Sequence, residues 1–331
     1  MDILNLEKPI WFMRQAGRHL PEYRILRSKK DNFMDFCFDF ESIVKSTLQP
    51  VKRYDLDCAI IFSDILVIPY ILNQEVKFIK GFGPKLENLE MWELLELVEN
   101  KIKKTRLNNC YNAIREVRKK LNKNKCLIGF CGAPLTVACY MIDGDSKGGF
   151  LKTKEMIKNN RYQTIELLKN IVTVSTEHLL NQYNNGCDTL MIFESWAGIL
   201  DTNNYSDFLY KPVEQIITKL RSLNVNAPII VFPKGIGKRI IEYINNVPAE
   251  ILSVDQNIDM NWAIKNVNGD IILQGNLDPR LLLQGGKRLE NEVRNLVETV
   301  GSRKHIFNLG HGLLPETPIE NVHKMISLIK S

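Results

Sequence analysis

The sequence predicts an α/β fold, a distorted (β/α)8 TIM barrel built as a single domain. Short apolar runs rich in β-branched residues recur along the whole chain, and longer amphipathic segments alternate with them. No repeat, low-complexity tract or Gly/Ser linker divides the chain. An open doubly wound sheet is disfavoured because no G-x-G-x-x-G follows the first apolar run.

The predicted strands are eight apolar runs, at residues 10–13, 57–62, 126–130, 189–193, 228–232, 251–254, 270–273 and 305–308. Five amphipathic segments are long enough for crossover helices, at residues 162–183, 206–223, 237–246, 279–300 and 318–330. The chain between the second and third strands is too long for a simple crossover and contains helical patterns at 89–98 and 110–121. We therefore predict one domain over residues 1–331 with a helical insertion around residues 65–124.

Composition predicts a globular protein that is neither exported nor inserted in a membrane. The chain is 44% hydrophobic and 25% charged. Asp2 and Glu7 lie where a secretory signal needs positive charge, and the most apolar stretch, residues 65–72, is short and contains Pro69. The seven cysteines form no C-x-x-C, which favours reduced, buried thiols and a cytoplasmic location.

The charge pattern gives little support to a nucleic-acid partner. A formal net charge of +6 is modest for 331 residues and is compatible with an acidic ligand. The lysine-rich residues 119–125 contain no interleaved aromatic residue or glycine, so we interpret them as a solvated turn.

An arginine-rich turn near the start of the chain indicates what such a ligand carries. Residues 9–24 read PIWFMRQAGRHLPEYR, an apolar run that breaks into a glycine turn flanked by Arg14 and Arg18. Arginine presents a planar fork of donors that binds carboxylate or phosphate and stays charged at cellular pH. The pair predicts a strongly acidic ligand.

Polar residues and glycines collect just beyond the predicted strands, where the βα loops of a barrel form its catalytic face. They are Arg14, Arg18, Ser63, Asp64, Gly132, Ala133, Glu194, Ser195, Lys234, Asp255, Asn276, Asp278, Gly310 and His311. Pro134 is suited to open the helix after Gly132 and Ala133, which puts Tyr140 nearly two turns into it.

Each of these residues also has a structural interpretation. Asp64 is a lone carboxylate in an apolar stretch, so it either caps a turn or contacts a ligand, and we favour the ligand because burying it without a partner is costly. Ser195 lacks a G-x-S-x-G elbow, which leaves capping and ligand hydrogen bonding equally open. Tyr140 either packs in the protein interior or directs its hydroxyl to the mouth of the barrel, the opening surrounded by the βα loops at the carboxyl ends of the strands.

His311 is the histidine whose surroundings favour a site. Glycines on both sides would let another molecule approach its imidazole closely. The other histidines, His19, His178, His305 and His323, lack such a setting and are interpreted as surface or packing residues. No H-E-x-x-H or paired-cysteine spacing predicts a metal centre.

Six ordered motifs resemble the uroporphyrinogen decarboxylase family over essentially the whole chain. They are MRQAGRHLPEYR, IIFSDILVIP, GFCGAPLTVACYM, FESWAG, QGNLDP and NLGHGLLP. The sequence departs from the family pattern at three positions: His19 stands where tyrosine is commoner, Cys131 where alanine is, and Gln256 where tryptophan is frequent. These changes affect packing or the rim more than the chemistry.

The resemblance implies a cytoplasmic homodimer of distorted barrels that uses no cofactor or metal. Its implied reaction removes carbon dioxide from the four acetate side chains of uroporphyrinogen III and gives coproporphyrinogen III. The residues implied in catalysis are Asp64, Arg14, His311 and Tyr140. Those implied in substrate binding are Arg14, Gln15, Ala16, Gly17, Arg18, Arg27, Asp64, Phe130, Gly132, Tyr140, Ser195 and His311.

The chemistry of such a reaction fits these residues. A pyrrole protonated at carbon is a cationic electron sink, and an ionised Asp64 in a low-dielectric cleft would stabilise that cation. Arginine, with a pKa above about 12, is a poor proton donor. His311, which ordinarily titrates near neutrality, is the better candidate on acidity, with Tyr140 or a water molecule behind it.

Two rival functions fit parts of the pattern. Related barrels transfer methyl groups to or from corrinoids and thiols, but the zinc ligands of those enzymes are missing from this sequence. A noncatalytic tetrapyrrole carrier would use the same basic cleft, but it would not need Asp64.

Overall fold

Seven parallel strands form the main sheet of the structure, a computed structural model that describes residues 1–79, 81–97 and 101–331. In chain order the strands of these residues are β1 Cys58–Ile60, β2 Val76–Ile79, β3 Gly83–Leu86, β4 Cys126–Gly132, β5 Thr189–Glu194, β6 Ile229–Pro233, β7 Ile251–Ser253, β8 Ile272–Leu277 and β9 His305–Leu309. The main sheet has the order β1-β4-β5-β6-β7-β8-β9, and β2 and β3 form a separate antiparallel hairpin.

The first predicted strand closes the barrel without being a full strand. The Phe307 N–H donates to Pro9 O at 2.8 Å, and the Trp11 N–H donates to Phe307 O at 3.2 Å. On the other side, the Asp57 N–H donates to Ile10 O at 3.1 Å. The segment at 9–11 thus connects β9 to β1. The predicted strand 10–13 is reduced to one bridge, between Ile10 and Phe307, because the chain turns directly afterwards.

The helices pack outside this sheet. They are α1 Pro21–Arg27, α2 Phe33–Phe38, α3 Phe40–Tyr54, α4 Val67–Ile71, α5 Met91–Glu96, α6 Lys101–Lys120, α7 Pro134–Asp143, α8 Leu151–Asn159, α9 Arg161–Asn184, α10 Lys211–Ser222, α11 Ile240–Asn246, α12 Met260–Asn266, α13 Pro279–Gln284, α14 Gly286–Val300 and α15 Ile319–Lys330. Among the described residues no helix has the length and apolarity needed to cross a membrane.

Four predicted helices differ from those observed, among them 237–246, whose first residues, Gly237–Arg239, form a 3-10 turn before α11. The segment 279–300 is two helices, because Gly285 and Gly286 both adopt φ +67° and interrupt the hydrogen-bond ladder. The segment 206–223 begins with a π-helical turn, Ser206–Tyr210, before α10. Helix α6 begins nine residues before the predicted 110, and the predicted helix 89–98 is α5, with residue 98 outside the described residues.

Buried side chains agree with two expectations from the sequence. All seven cysteines are free and buried. His19, His178 and His305 are buried packing residues, and burial lowers the pKa of each to about 4. These thiols and imidazoles are therefore neutral packing groups inside the fold.

Candidate active site at the carboxyl ends of the strands

The turn that carries Arg14 is stabilised by hydrogen bonds of the next residue, Gln15. Gln15 is buried, and its Oε1 accepts from the Phe12 N–H at 3.0 Å while its Nε2 donates to Cys58 O at 3.2 Å. Arg14 itself is exposed and has φ +60°, a left-handed conformation that is unfavourable for a residue with a side chain. The Gln15 amide therefore holds the turn that directs Arg14 outward.

Two glycines set the position of Arg14 and His311. A Cβ at Gly312 would lie 2.4 Å from Arg14 Cδ, so the arginine stem runs across the Gly312 backbone. A Cβ at Gly310 would lie 2.2 Å from the Gln256 backbone N. The expectation that both glycines leave room for another molecule is wrong, because the protein itself fills both spaces.

Arg18 presents a second unpaired cation. It is exposed, and its carbonyl accepts from Arg24 Nη1 at 2.7 Å, which fixes the backbone of the turn. Within the described residues neither Arg14 nor Arg18 donates a side-chain hydrogen bond. A Cβ at Gly17 would lie 2.8 Å from Arg14 O, so glycine is needed for this tight turn, and Ala16 beside it is half-buried.

Arg27 differs from these two arginines. Its Nη1 donates to Lys30 O, and its guanidinium carbon lies 5.7 Å from the ring centroids of both Phe33 and Phe36. It is half-buried. The guanidinium is thus already partly occupied by its own neighbours.

Asp64 follows β1 in a turn that it caps itself. Its Oδ1 accepts from the Leu66 N–H at 2.9 Å, and no hydrogen bond from the described residues reaches Oδ2. Burial raises the pKa of this carboxyl, while the Leu66 N–H and the charge of Arg14 oppose the increase. The capping and ligand interpretations of Asp64 are therefore compatible, because one oxygen caps and the other stays free.

Glycine at position 132 allows β4 to pass beneath that turn. A Cβ on Gly132 would lie 2.9 Å from Ile65 Cβ and 2.9 Å from Val137 Cγ2. On the same strand Phe130 packs edge to face against Phe193, with ring centroids 5.4 Å apart. This strand therefore supplies the apolar floor next to Asp64.

Tyr140 lies on α7, which begins at Pro134 as predicted, and its ring packs edge to face on Phe150 with centroids 5.6 Å apart. Burial raises the pKa of Tyr140, and hydrogen bonds with Trp196 and Ser146 oppose the increase. The charge of Asp64 raises the same pKa and that of Arg14 lowers it. The hydroxyl therefore lies in the electric field of both groups, at the mouth.

His311 is half-buried after β9, and its ring stacks on Phe232 with centroids 6.4 Å apart. Burial, followed by the charges of Arg14 and Lys234, lowers the pKa of His311 to about 3. Its buried Nδ1 has no partner among the described residues. The expectation that this histidine titrates near neutrality is therefore wrong, and the imidazole is neutral at physiological pH.

Ser195 and Glu194, at the end of β5, differ in how deeply they are buried. Ser195 is half-buried, and no hydrogen bond of its hydroxyl is found within the described residues. Glu194 is fully buried and accepts from the Thr136 hydroxyl. Burial raises the pKa of Glu194 to about 8, so this carboxyl is mostly protonated at neutral pH. It lies beneath the mouth and not in it.

Three other polar residues beyond the strands hold loops. Asp255 accepts from the Gly235 N–H at 2.9 Å and from the Asn257 N–H at 2.8 Å. Asn276 Nδ2 donates to Asp255 O at 3.0 Å, and Asp278 caps α13. Asp255 and Asn276 use their hydrogen bonds on the backbone, and Asp278 also accepts from the Arg280 guanidinium, so all three residues hold the loops that follow the strands.

The sequence prediction named Phe130 and Tyr140 but missed two other aromatic residues that lie next to the predicted site residues. Trp196 packs on Phe150, the ring that also contacts Tyr140, and Phe232 stacks on His311. Each lies one or two positions from a residue that was selected, Ser195 or Lys234, and that adjacency was the available signal.

Comparison with known proteins identifies the family. A family model described as uroporphyrinogen decarboxylase matches residues 7–331. Curated uroporphyrinogen decarboxylases include one from Rickettsia africae, 41% identical over 329 residues, which are 98% of this chain and 94% of that protein. One from Orientia tsutsugamushi is 43% identical over 325 residues, with the same coverage of 98% and 94%. The chain belongs to the uroporphyrinogen decarboxylase family.

Members of this family are carboxy-lyases, and the chain is a decarboxylase of porphyrin and haem biosynthesis. Solved structures show the same barrel type. A methyltransferase from Methanosarcina mazei has a TM-score of 0.79 at 17% identity, covering 98% of this chain and 94% of that one. At this identity the likeness shows the fold alone, so it gives no support to the methyl-transfer alternative.

Proposed function

We propose that the cleft decarboxylates the four acetate side chains of uroporphyrinogen III to methyl groups, giving coproporphyrinogen III and carbon dioxide. The observation that carries this proposal is the half-buried Asp64, whose Oδ2 is free among the described residues and lies within the field of Arg14. Family membership supplies the substrate class.

Asp64 stabilises the cation formed when the pyrrole is protonated at carbon. Decarboxylation then returns the electrons of the broken C–C bond to the ring and leaves an exocyclic methylene. A second proton adds to this methylene to complete the methyl group, and the ring carbon releases the first proton, so one proton is consumed for each carbon dioxide lost. A carboxylate fixed in a low-dielectric cleft interacts strongly with this cation and needs no reorganisation. The pyrrole N–H groups donate to the carboxylate, so the substrate favours its ionised form despite the raised pKa in the empty cleft. The substrate is its own electron sink, and the proposal includes no cofactor.

Arg14 and Arg18 neutralise substrate carboxylates, because their guanidinium N–H groups donate no hydrogen bond to the described residues and are available to the substrate. Ser195, Tyr140 and the neutral imidazole of His311 add hydrogen bonds to acetate or propionate groups, which orients the macrocycle. Ala16, Gly17, Phe130 and Gly132 shape the cleft and Gln15 positions Arg14. Arg27 serves as a more distant guanidinium contact.

The electrostatics of the free protein argue against two proton donors. With its pKa lowered to about 3, His311 is not an imidazolium near neutral pH, and the raised pKa of Tyr140 makes the phenol a weaker acid. We therefore assign both residues to carboxylate binding and not to general acid catalysis.

The experiment that tests this function is an anaerobic assay with enzymatically prepared uroporphyrinogen III. We expect intermediates with seven, six and five carboxyl groups to appear in turn. Chromatography of the oxidised products detects them. Tight binding of uroporphyrinogen III without release of carbon dioxide would favour the carrier alternative instead.

We also propose that the protein acts as a cytoplasmic homodimer, as the family resemblance suggests. The seven free, buried thiols are typical of a reducing compartment. Light scattering coupled to size-exclusion chromatography tests the dimer, because a single chain has a mass of 38.2 kDa. A mass that stays at this value across micromolar concentrations would contradict it.

A further inference from the structure

We propose that Lys234 binds a substrate carboxylate from the side of the mouth opposite Arg14, an inference that rests on the proposed function. Around the closed barrel the order is segment 9–11, β1, β4, β5, β6, β7, β8 and β9. Strand β6 is thus four positions from segment 9–11 in either direction. Lys234 directly follows β6, and Arg14 follows segment 9–11, so the two cations lie across the mouth from each other.

The backbone at Lys234 is held on both sides. Its N–H donates to Glu194 O at 3.0 Å, and its carbonyl accepts from the Gly198 N–H at 3.1 Å. A Cβ on Gly198 would lie 2.8 Å from Gly235 O, so the loops after β5 and β6 touch through glycine backbones. The backbone from which the Lys234 side chain extends is therefore fixed.

The side chain extends toward the site that was already described. Nζ lies 5.8 Å from the ring centroid of Trp196, whose ring packs on Phe150 with centroids 4.9 Å apart. The charge of Lys234 also acts on His311. The ammonium thus lies beside Trp196 on the β6 side of the mouth, and its charge reaches across to His311.

Lys234 has no anionic partner among the described residues, whereas the half-buried Lys30, Lys104 and Lys125 each have one. Lys30 Nζ lies 2.8 Å from Asp39 Oδ1, and Lys125 Nζ lies 2.7 Å from Asp55 Oδ1. An ammonium that is half withdrawn from water gains most from an anion. Uroporphyrinogen carries acetates and propionates around the whole edge of its macrocycle. Cations on one side of the mouth would therefore leave the carboxylates on the opposite edge without a positive charge nearby. Lys234 supplies the missing positive charge there.

The test compares Lys234→Met with Lys238→Met in the anaerobic assay. Methionine keeps the apolar stem of lysine and removes the charge. Lys238 is an exposed lysine four residues away whose Nζ lies over Trp262, 5.2 Å from the ring centroid. We expect KM for uroporphyrinogen III to rise about tenfold or more in Lys234→Met, with a smaller change in kcat and an unchanged thermal midpoint. Lys238→Met should keep the wild-type KM, and Lys234→Arg should restore most of the binding.

The dependence of KM on ionic strength provides a second measurement, and it would not change if Lys234 had only a structural role. The KM of Lys234→Met should depend less steeply on salt than that of the wild type, because one charge contact is missing. If Lys234→Met folds poorly, Lys234→Gln replaces it in both measurements. A wild-type KM in the neutral variant, or an equal rise in Lys238→Met, would overturn the inference. A wild-type enzyme that releases no carbon dioxide would instead overturn the proposed function.

Discussion

Arginines at the two ends of the barrel are used in opposite ways. At the amino ends of the strands, Arg118 Nη1 donates to Asp188 Oδ2 at 2.6 Å and Nη2 to Asn122 O at 3.0 Å. Arg303 likewise donates to Ile264 O at 2.6 Å and to other carbonyls before β8. At the carboxyl ends, the guanidinium groups of Arg14 and Arg18 donate to none of the described residues.

The difference separates stability from function. A guanidinium whose donors are filled by carbonyls and carboxylates joins loops and stabilises the fold. An exposed guanidinium with free donors does little for the fold but is ready for a ligand. This division agrees with the general assignment of catalysis to one face of a barrel and stability to the other.

The largest effect is expected for Asp64→Asn at the mouth. Asparagine keeps an oxygen that can accept from the Leu66 N–H but removes the negative charge that stabilises the pyrrole cation. We expect kcat to fall by about 10² to 10³, as for the loss of one preorganised electrostatic group. Anaerobic turnover of uroporphyrinogen III measures this.

The same variant should not unfold the protein. The pKa of Asp64 is raised, so the free energy of unfolding falls as the pH rises from the unfolded-state pKa to the folded-state pKa, and the full loss is present above the latter. Asp64→Asn should therefore be at least as stable as the wild type at pH 8 by urea unfolding. Normal turnover in this variant would remove Asp64 from the mechanism.

Glu194 is a second carboxyl that lies between the two regions, and it should make stability depend on pH. Its pKa is raised from 4.5 to about 8, chiefly by burial. Between these values the unfolded chain has lost the proton and the folded chain keeps it, so the free energy of unfolding falls as pH rises. The integrated loss is several kcal/mol by about pH 8, and stability is fully present below pH 4.5.

Glu194→Gln resembles the protonated acid and should remove this dependence. Urea unfolding of both proteins from pH 5 to 9 measures the difference, which should widen toward pH 8 and then level off. Parallel curves would show that Glu194 ionises alike in the folded and unfolded states.

Arg303→Met and Arg18→Met test the division between the two ends directly. Removing the Arg303 guanidinium leaves the Ile264 and Ile271 carbonyls without their donor, and we expect a loss of about 2–3 kcal/mol in unfolding free energy with an unchanged KM. Arg18→Met should raise KM and change stability by about 0.5 kcal/mol or less. A loss of stability in both variants would contradict the comparison.

Sequence reasoning found the strands because parallel strands buried on both faces appear as continuous apolar runs. Seven of the eight predicted runs are strands whose starts agree within two residues. The hairpin of β2 and β3 was missed because Val76–Ile79 and Gly83–Leu86 include lysines and a proline, which hide a short exposed ribbon. The first run failed as a strand because Gln15 draws the chain into a turn.

The site was predicted only as far as chain position allows. The strand ends predicted Arg14, Asp64 and His311, and the structure places both Asp64 and His311 within the field of Arg14. The neutral state of His311 was not predictable, because its pKa depends on burial and on Arg14 and Lys234, which are remote in sequence. The role of its flanking glycines was misinterpreted for the same reason.

The two glycines beside His311 provide the finest test of the comparison, with the smallest expected effect. A Cβ at Gly310 meets the backbone N of Gln256 at 2.2 Å, and backbone cannot move aside cheaply. A Cβ at Gly312 meets the flexible stem of Arg14 at 2.4 Å, which can. Gly310→Ala should therefore lose about 1–3 kcal/mol of stability. Gly312→Ala should keep its stability and lose substrate affinity, because Arg14 is displaced from its place over the mouth. Thermal unfolding and KM, measured on both variants, separate the two outcomes, and a Gly312→Ala protein with normal KM would show that the position of Arg14 does not matter for binding.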